Sequence, residues 1–317
     1  MRPQPGPPIV VTLLAAALLG CEAGAPDVAE EAGPSPATES VGPVEVVARD
    51  YSFAAPAQIP SGWTTFRLVN EGREHHFFLL NRLPEGKTIE EYGAEVGAPF
   101  DSVWSALKSG AADKAEAGAM LGRLLPAWYA DVEQLGGVGL LAPGRTATAT
   151  VRLKPGDYVM ECYVKTPSGE FHSSLGMVLP LTVSTAVSGR HPPTSDLAIT
   201  LTNEALVVEG EATPGEHSVA VHFGEHPEVG LGNDVHLVRL DDASVDEVVA
   251  WMDWMNVEGL RDPAPAPFLG GTQEMPVGET AYFTVALEPG RYAWISEAGA
   301  ERLVRPFSVA GGTPAGR

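Results

Sequence analysis

The chain has 317 residues, 44% hydrophobic and 19% charged, with 41 acidic side chains against 20 basic ones and a formal net charge of −21 at pH 7. So acidic a surface repels phosphate backbones and anionic headgroups, which argues against nucleic acid or anionic lipid as a partner and leaves solubility as the plain reading of the charge. The two cysteines, Cys21 and Cys162, lie far apart in the chain.

Ile9 to Leu19 is an apolar run too short to cross a bilayer. It follows Arg2 and ends in Leu18-Leu19-Gly20-Cys21, so residues 1–20 read as a secretory signal. These residues resemble the lipobox of bacterial lipoproteins. The resemblance implies cleavage before Cys21, a diacylglyceryl thioether on its sulfur and a location at the extracytoplasmic face of a membrane; an ordinary signal peptide with a chance cysteine is the alternative. Residues 21–42 are rich in Ala, Glu, Pro, Ser and Gly and read as a flexible tether. No later apolar run suits a transmembrane helix. With Cys21 lipidated, Cys162 has no partner, which in an exported protein points to reactivity or ligation, or to a small buried side chain.

The rest of the chain suits two domains. Gly136-Gly137, Pro143-Gly144 and Val151-Arg152-Leu153-Lys154-Pro155-Gly156-Asp157-Tyr158 recur as Gly270-Gly271, Val277-Gly278 and Val285-Ala286-Leu287-Glu288-Pro289-Gly290-Arg291-Tyr292, at a constant offset of 134. Thr146–Leu153 and Thr280–Leu287 alternate with period two and predict strands, each followed by a Pro-Gly turn into a further strand over Tyr158–Tyr163 or Tyr292–Ile295. Val44–Val47, Thr64–Val69 and Phe77–Leu80 are strand-like in the first copy; Ala198–Leu201, Ser218–Phe223 and Val235–Leu240 match them in the second. Each copy carries a helical insertion opened by a capping box, Thr88-x-x-Glu91 and Ser244-x-x-Glu247. Val245, Val248, Val249 and Met252 share a helical face, and Trp251 and Trp254 are expected to pack onto the sheets. The first insertion holds Trp104, Trp128 and Tyr129 and could form a small lid. The expected fold is all-β: two tandem Greek-key β-sandwiches over 43–185 and 197–311, joined by a linker at 186–196.

Cys162 ends a predicted strand, and His172 and Met177 lie on the loop that follows it. His75 and His76 stand upstream, after Asn70-Glu71-Gly72. Two imidazoles, one thiolate and a weak axial thioether make a type 1 copper centre. These residues resemble the cupredoxins over roughly 44–183, in Asn70-x-Gly72, in a His opening the next strand and in the terminal Cys–His–Met loop. Nine residues separate Cys162 from His172 and four separate His172 from Met177, which resembles the longer loop of copper nitrite reductases. The resemblance carries ligand roles to Cys162, His172, Met177 and, by its Asn-x-Gly spacing, to His76. His75 remains the alternative, since adjacent strand residues face opposite ways.

In the second copy Cys162 becomes Ser296, and the next loop has neither His nor Met, so that copy is expected to be copper-free. His222 and His226 read as surface imidazoles, and His236 has no partner ligands. The flanks of Cys162 are Glu161 and Tyr163, whereas multicopper oxidases place His there to relay electrons. With no second copper site and no hydrolase or phosphate-loop motif, no catalysis is expected. The sequence therefore predicts an envelope lipoprotein that binds one type 1 copper and passes single electrons to a redox or envelope protein. A copper-free scaffold with the same fold and a copper carrier are the other readings.

Overall fold

The computed structural model describes residues 42–228 and 231–311. The expected signal peptide, the lipidation site Cys21 and nearly all of the tether lie outside the described residues. The described residues form one compact unit, and no described helix is long and apolar enough to cross a membrane.

The chain is mostly β. The first half runs β1 (Val44–Arg49), β2 (Ser52–Ala54), β3 (Gln58–Asn70) and β4 (His76–Arg82). An insertion follows, of α1 (Ile89–Tyr92), a π-helical turn (Gly93–Gly97), α2 (Ala98–Ser109) and α3 (Lys114–Leu124). The half closes with β5 (Glu133–Leu141), β6 (Thr146–Leu153), β7 (Gly156–Glu161) and β8 (Val178–Val187). The second half has β9 (Leu197–Leu201), β10 (Leu206–Glu209), β11 (Gly215–Phe223), β12 (Val235–Arg239), α4 (Val245–Met252), β13 (Phe268–Thr272), β14 (Thr280–Leu287), β15 (Gly290–Ile295) and β16 (Val304–Val309). The period-two reading of β14 holds: Ala281, Phe283, Val285 and Leu287 are buried and the residues between them are not. Both expected capping boxes form, and Asp113 with Glu116 builds a third at α3.

One sheet has the order β10-β9-β11-β14-β6-β3, with β1 beside β3 and β2 beside β1. The other runs β8-β7-β4-β5-β13-β12-β15-β16. Strand β3 serves both. Gln58–Ser61 runs parallel to β8 and Gly62–Val69 antiparallel to β6, and the switch falls at Gly62 with φ 97°, a conformation open to glycine.

The two copies meet strand to strand in both sheets. Ala149 pairs with Phe283 across β6 and β14, and Val138 with Thr272 across β5 and β13. Each residue thus faces its own counterpart at offset 134, so the antiparallel contact places the copies about an internal two-fold relation. The repeated Gly-Gly pairs serve the strand neighbours inside each copy, β4 beside β5 and β12 beside β13. A Cβ on Gly137 would overlap the Phe78 carbonyl oxygen, and one on Gly271 the Val235 carbonyl oxygen, so only glycine admits the neighbouring strand. Those glycines also hide β5 and β13 from a reading based on alternation. One apolar cluster runs through both halves. A smaller one joins Val103, Trp104 and Leu107 of α2 to Phe171, with Trp254 packed against it from the second half.

Candidate metal centre

Strand β7 stops at Glu161, and Cys162 follows on a loop that returns into β8. Backbone bonds close this loop: His172 N donates to Val164 O (2.8 Å), Met177 N to His172 O (2.9 Å) and Cys162 N to Met177 O (3.2 Å). His76 opens β4, the strand paired with β7. Cys162 Sγ consequently lies 3.6 Å from His172 Nδ1 and 3.9 Å from His76 Nδ1. The three donor atoms lie within 4.8 Å of one another, the one such group among the described residues. His76, Cys162, His172 and Met177 are all fully buried.

The far nitrogen of each imidazole meets a carboxylate. His76 Nε2 is 2.8 Å from Asp50 Oδ1, and His172 Nε2 is 2.9 Å from Glu74 Oε2. Such carboxylate–imidazole pairs hold the ring and its tautomer, leaving Nδ1 free to ligate. The carboxylates are anchored in turn. Asp50 accepts the Arg73 N–H at 2.9 and 3.1 Å; Glu74 accepts the Tyr51 hydroxyl at 2.9 Å, and the Tyr51 ring packs 4.7 Å from the His172 ring. Asn70 braces the loop by donating to the carbonyls of Glu74 and Leu141 (2.9 Å each) and accepting the Gly72 N–H. Gly72 has no room for a side chain: a Cβ there would overlap Asp50 Oδ1 and sit 2.6 Å from His76 Nε2. The Asn-x-Gly motif thus shapes the shell around His76.

Burial pushes the Cys162 thiol up to about 12, while the N–H groups of Phe77 and Val164 aimed at its sulfur favour the thiolate. Burial, joined by the neighbouring His172, lowers His76 to about 4 against the pull of Asp50. Burial raises the Asp50 carboxyl, but the Arg73 amide and His76 outweigh it and hold it below the usual range. Metal-free, the cluster therefore rests at neutral pH as a thiol beside a neutral His76.

His75 faces the other way. Its Nδ1 lies 2.7 Å from Asp262 Oδ1 and its backbone N–H donates to the same oxygen at 3.0 Å, so it straps the first copy to the second. In the second copy Ser296, the counterpart of Cys162, donates to Asp234 Oδ1 (3.1 Å). His236 is held at both nitrogens, by Asp234 Oδ2 at 2.7 Å and by the Leu140 N–H at 3.0 Å. His222 is exposed. His226 is not a simple surface residue: it contacts Met275 O at 2.6 Å and accepts the Asn233 N–H, because the turn before β12 folds over it.

Sequence reading did not single out Asp50, Tyr51, Glu74 or Asp262. Glu74 carries a weak signal, an acid two residues before His76. Asp50 and Asp262 carry none, since only folding brings them to the imidazoles.

No family model matches the chain, and no curated protein does. Solved structures similar to it include a dithionite-reduced auracyanin from the photosynthetic bacterium Roseiflexus castenholzii, at 20% identity, covering 44% of this chain and 94% of that one with a TM-score of 0.27. An azurin from Methylomonas sp. strain J matches at 14% identity over 44% of this chain and 95% of its own, TM-score 0.25. A multicopper oxidase matches at 14% identity over 84% of this chain and 88% of its own, TM-score 0.23. At these values the likenesses assign no ligand or activity. The expectation of no catalysis is nonetheless corrected: an enzyme stands among the matched structures and spans most of this chain. His flanks at the cysteine are one family's relay, so finding Glu161 and Tyr163 there does not exclude enzymatic activity.

Proposed function

We propose that this chain is a cupredoxin-like protein of two tandem Greek-key sandwiches, whose first copy holds one type 1 copper through His76, Cys162, His172 and Met177 and transfers single electrons. The observation that carries this is the convergence of one thiol and two imidazole Nδ1 atoms in a dry site, each imidazole backed by a carboxylate. The donors fit the metal. Thiolate and thioether suit Cu(I), imidazole suits both copper states, and no carboxylate enters the set as it would for a harder ion. Copper bound there supplies reversible one-electron chemistry.

The chain's own residues do the rest. Cys162 provides the thiolate once its proton leaves, and the Phe77 and Val164 amides offset its charge. Asp50 and Glu74 fix the imidazoles, so little need move between oxidation states. Full burial keeps water from the donors, and Met177 is the candidate weak ligand. Asp50 and Glu74 keep only 13% of their side chains exposed, so the donors lie one residue beneath the surface. The contact of Tyr51 with His172 makes that rim a route for an electron to a redox partner. The second copy, with Ser296 in place of the thiol, braces the site through Asp262. Attachment through Cys21 to a membrane of the cell envelope completes the proposal.

The test is Cu(II) titration of the chain lacking residues 1–42, followed by visible absorption. An intense thiolate-to-copper(II) band that Cys162→Ser abolishes is expected. A colourless protein whose unfolded thiol titrates in full after copper addition sinks the proposal.

A further inference from the structure

Cys162 points into the core, and its chain neighbours Glu161 and Tyr163 point to the opposite face of the strand. There they line a cavity of about 270 Å3 between the two helical insertions. Its walls include Tyr92, Tyr129 and Tyr163 from the first half and Trp254 from the second. Among the described residues its charged lining groups are all acids, Glu161, Glu274 and, at the exposed mouth, Asp101, with no Lys, Arg or His. Glu161 Oε1 accepts from Asn81 Nδ2 (2.6 Å) and the Tyr92 hydroxyl (2.8 Å), and no described residue donates to its Oε2. Among the described residues only the Gly232 amide meets the Glu274 carboxyl, and its enclosure together with the charge of Asp234 pushes it up to about 8, the behaviour of an enclosed acid with no cation beside it.

We infer that this cavity binds a small organic cation, an amine held between the Glu161 and Glu274 carboxylates with its apolar part against the Tyr and Trp faces. Electron-rich ring faces attract a cation, the more so when it is desolvated; Glu274, which keeps its proton at pH 7 while the cavity is empty, releases it as the amine enters and joins Glu161 in balancing the charge. An inorganic cation fits poorly, because ring faces cannot replace its water and these acids do not converge into a three-ligand group. The volume is below that of drug-sized pockets, so the occupant is small. The π-helical turn serves the cavity: Gly93 and Gly97 line it, and a Cβ on either would touch no protein atom. None of this depends on copper.

The test is calorimetry at pH 7 on the full chain, using benzylamine, which is protonated there, and benzyl alcohol, its neutral counterpart. Benzylamine should bind about tenfold more tightly or better. Glu274→Gln should cut that preference to less than about threefold. Gly97→Leu should remove binding without lowering the melting temperature, since Gly97 has helical angles (φ −57°, ψ −49°) that leucine adopts freely. Equal binding of the two probes, binding of neither, or a preference that survives both substitutions overturns the inference.

Discussion

Replacing Asp50 tests the carboxylate–imidazole pairing at its most enclosed point. Asp50 Oδ1 lies 2.8 Å from His76 Nε2, whose ring is fully buried. A hydrogen bond to a charged group contributes about 1.5–3 kcal/mol, which equals roughly 10- to 150-fold in a binding constant. Asp50→Ala removes that bond and the anchor of the Arg73 amide, and copper affinity should fall about 10- to 100-fold, as for other supports of metal-bound histidine. Asp50→Asn keeps the shape and an acceptor but loses the charge, which accounts for about half of the bond, so its loss should be about tenfold or less. The assay is competition for Cu(II) against a chelator of known affinity, with thermal melts of the metal-free variants to separate folding from binding. If both variants bind copper within about twofold of the parent while remaining folded, Asp50 does not orient the ligand and the argument from paired carboxylates fails.

Three further outcomes follow from the same geometry. His76→Ala should abolish the copper band, whereas His75→Ala should retain it, because His75 is committed to Asp262; a lost band in His75→Ala with the fold intact would reverse the ligand assignment. Asp262→Ala breaks a buried pair and strands the His75 amide, so urea unfolding of the metal-free protein should show a loss of about 3 kcal/mol; a change below about 0.5 kcal/mol would mark the pair as incidental. The metal-free protein should also lose stability on acidification. The unfolded chain takes up the His76 proton near pH 6.5 while the folded state refuses it until about pH 4, so up to about 3 kcal/mol disappears as pH falls through that window. Asp50, held low by the Arg73 amide and then His76, and Asp262, held low by His75, add to the loss only below about pH 4. His76→Asn should flatten the upper part of the curve.

Much of the centre was legible in the linear order of residues. Cys162, His172 and Met177 share one loop, and loop closure by local backbone bonds brings them together wherever the fold places them. His76 could be chosen over His75 only by family spacing. Strand alternation turns His76 toward Cys162 and His75 toward Asp262. The strand with clean period-two burial, β14, could be read directly, as could β6, where buried Thr150 alone breaks the alternation. Strands β5 and β13 could not, because their glycines answer to a neighbouring backbone rather than to a buried face. Trp251 and Trp254 of the second insertion are expected to pack on the sheets. Trp251 does so, but Trp254 with Tyr92 and Tyr129 borders a cavity, since two insertions from different copies meet above the same strand.

The sequence alone determined the repeat, the strand periodicity, the capped helices and the candidate donor set, because each depends on residues close in the chain or at one constant offset. Tertiary structure alone decided the company those donors keep. Asp50 and Glu74 behind the imidazoles, Asp262 beneath His75, and Glu274 opposite Glu161 are brought in by strand pairing across 20 to 190 residues of sequence. No local pattern encodes such meetings: the first two exist only once the strands of the first copy have paired, the last two only once the two copies have joined edge to edge.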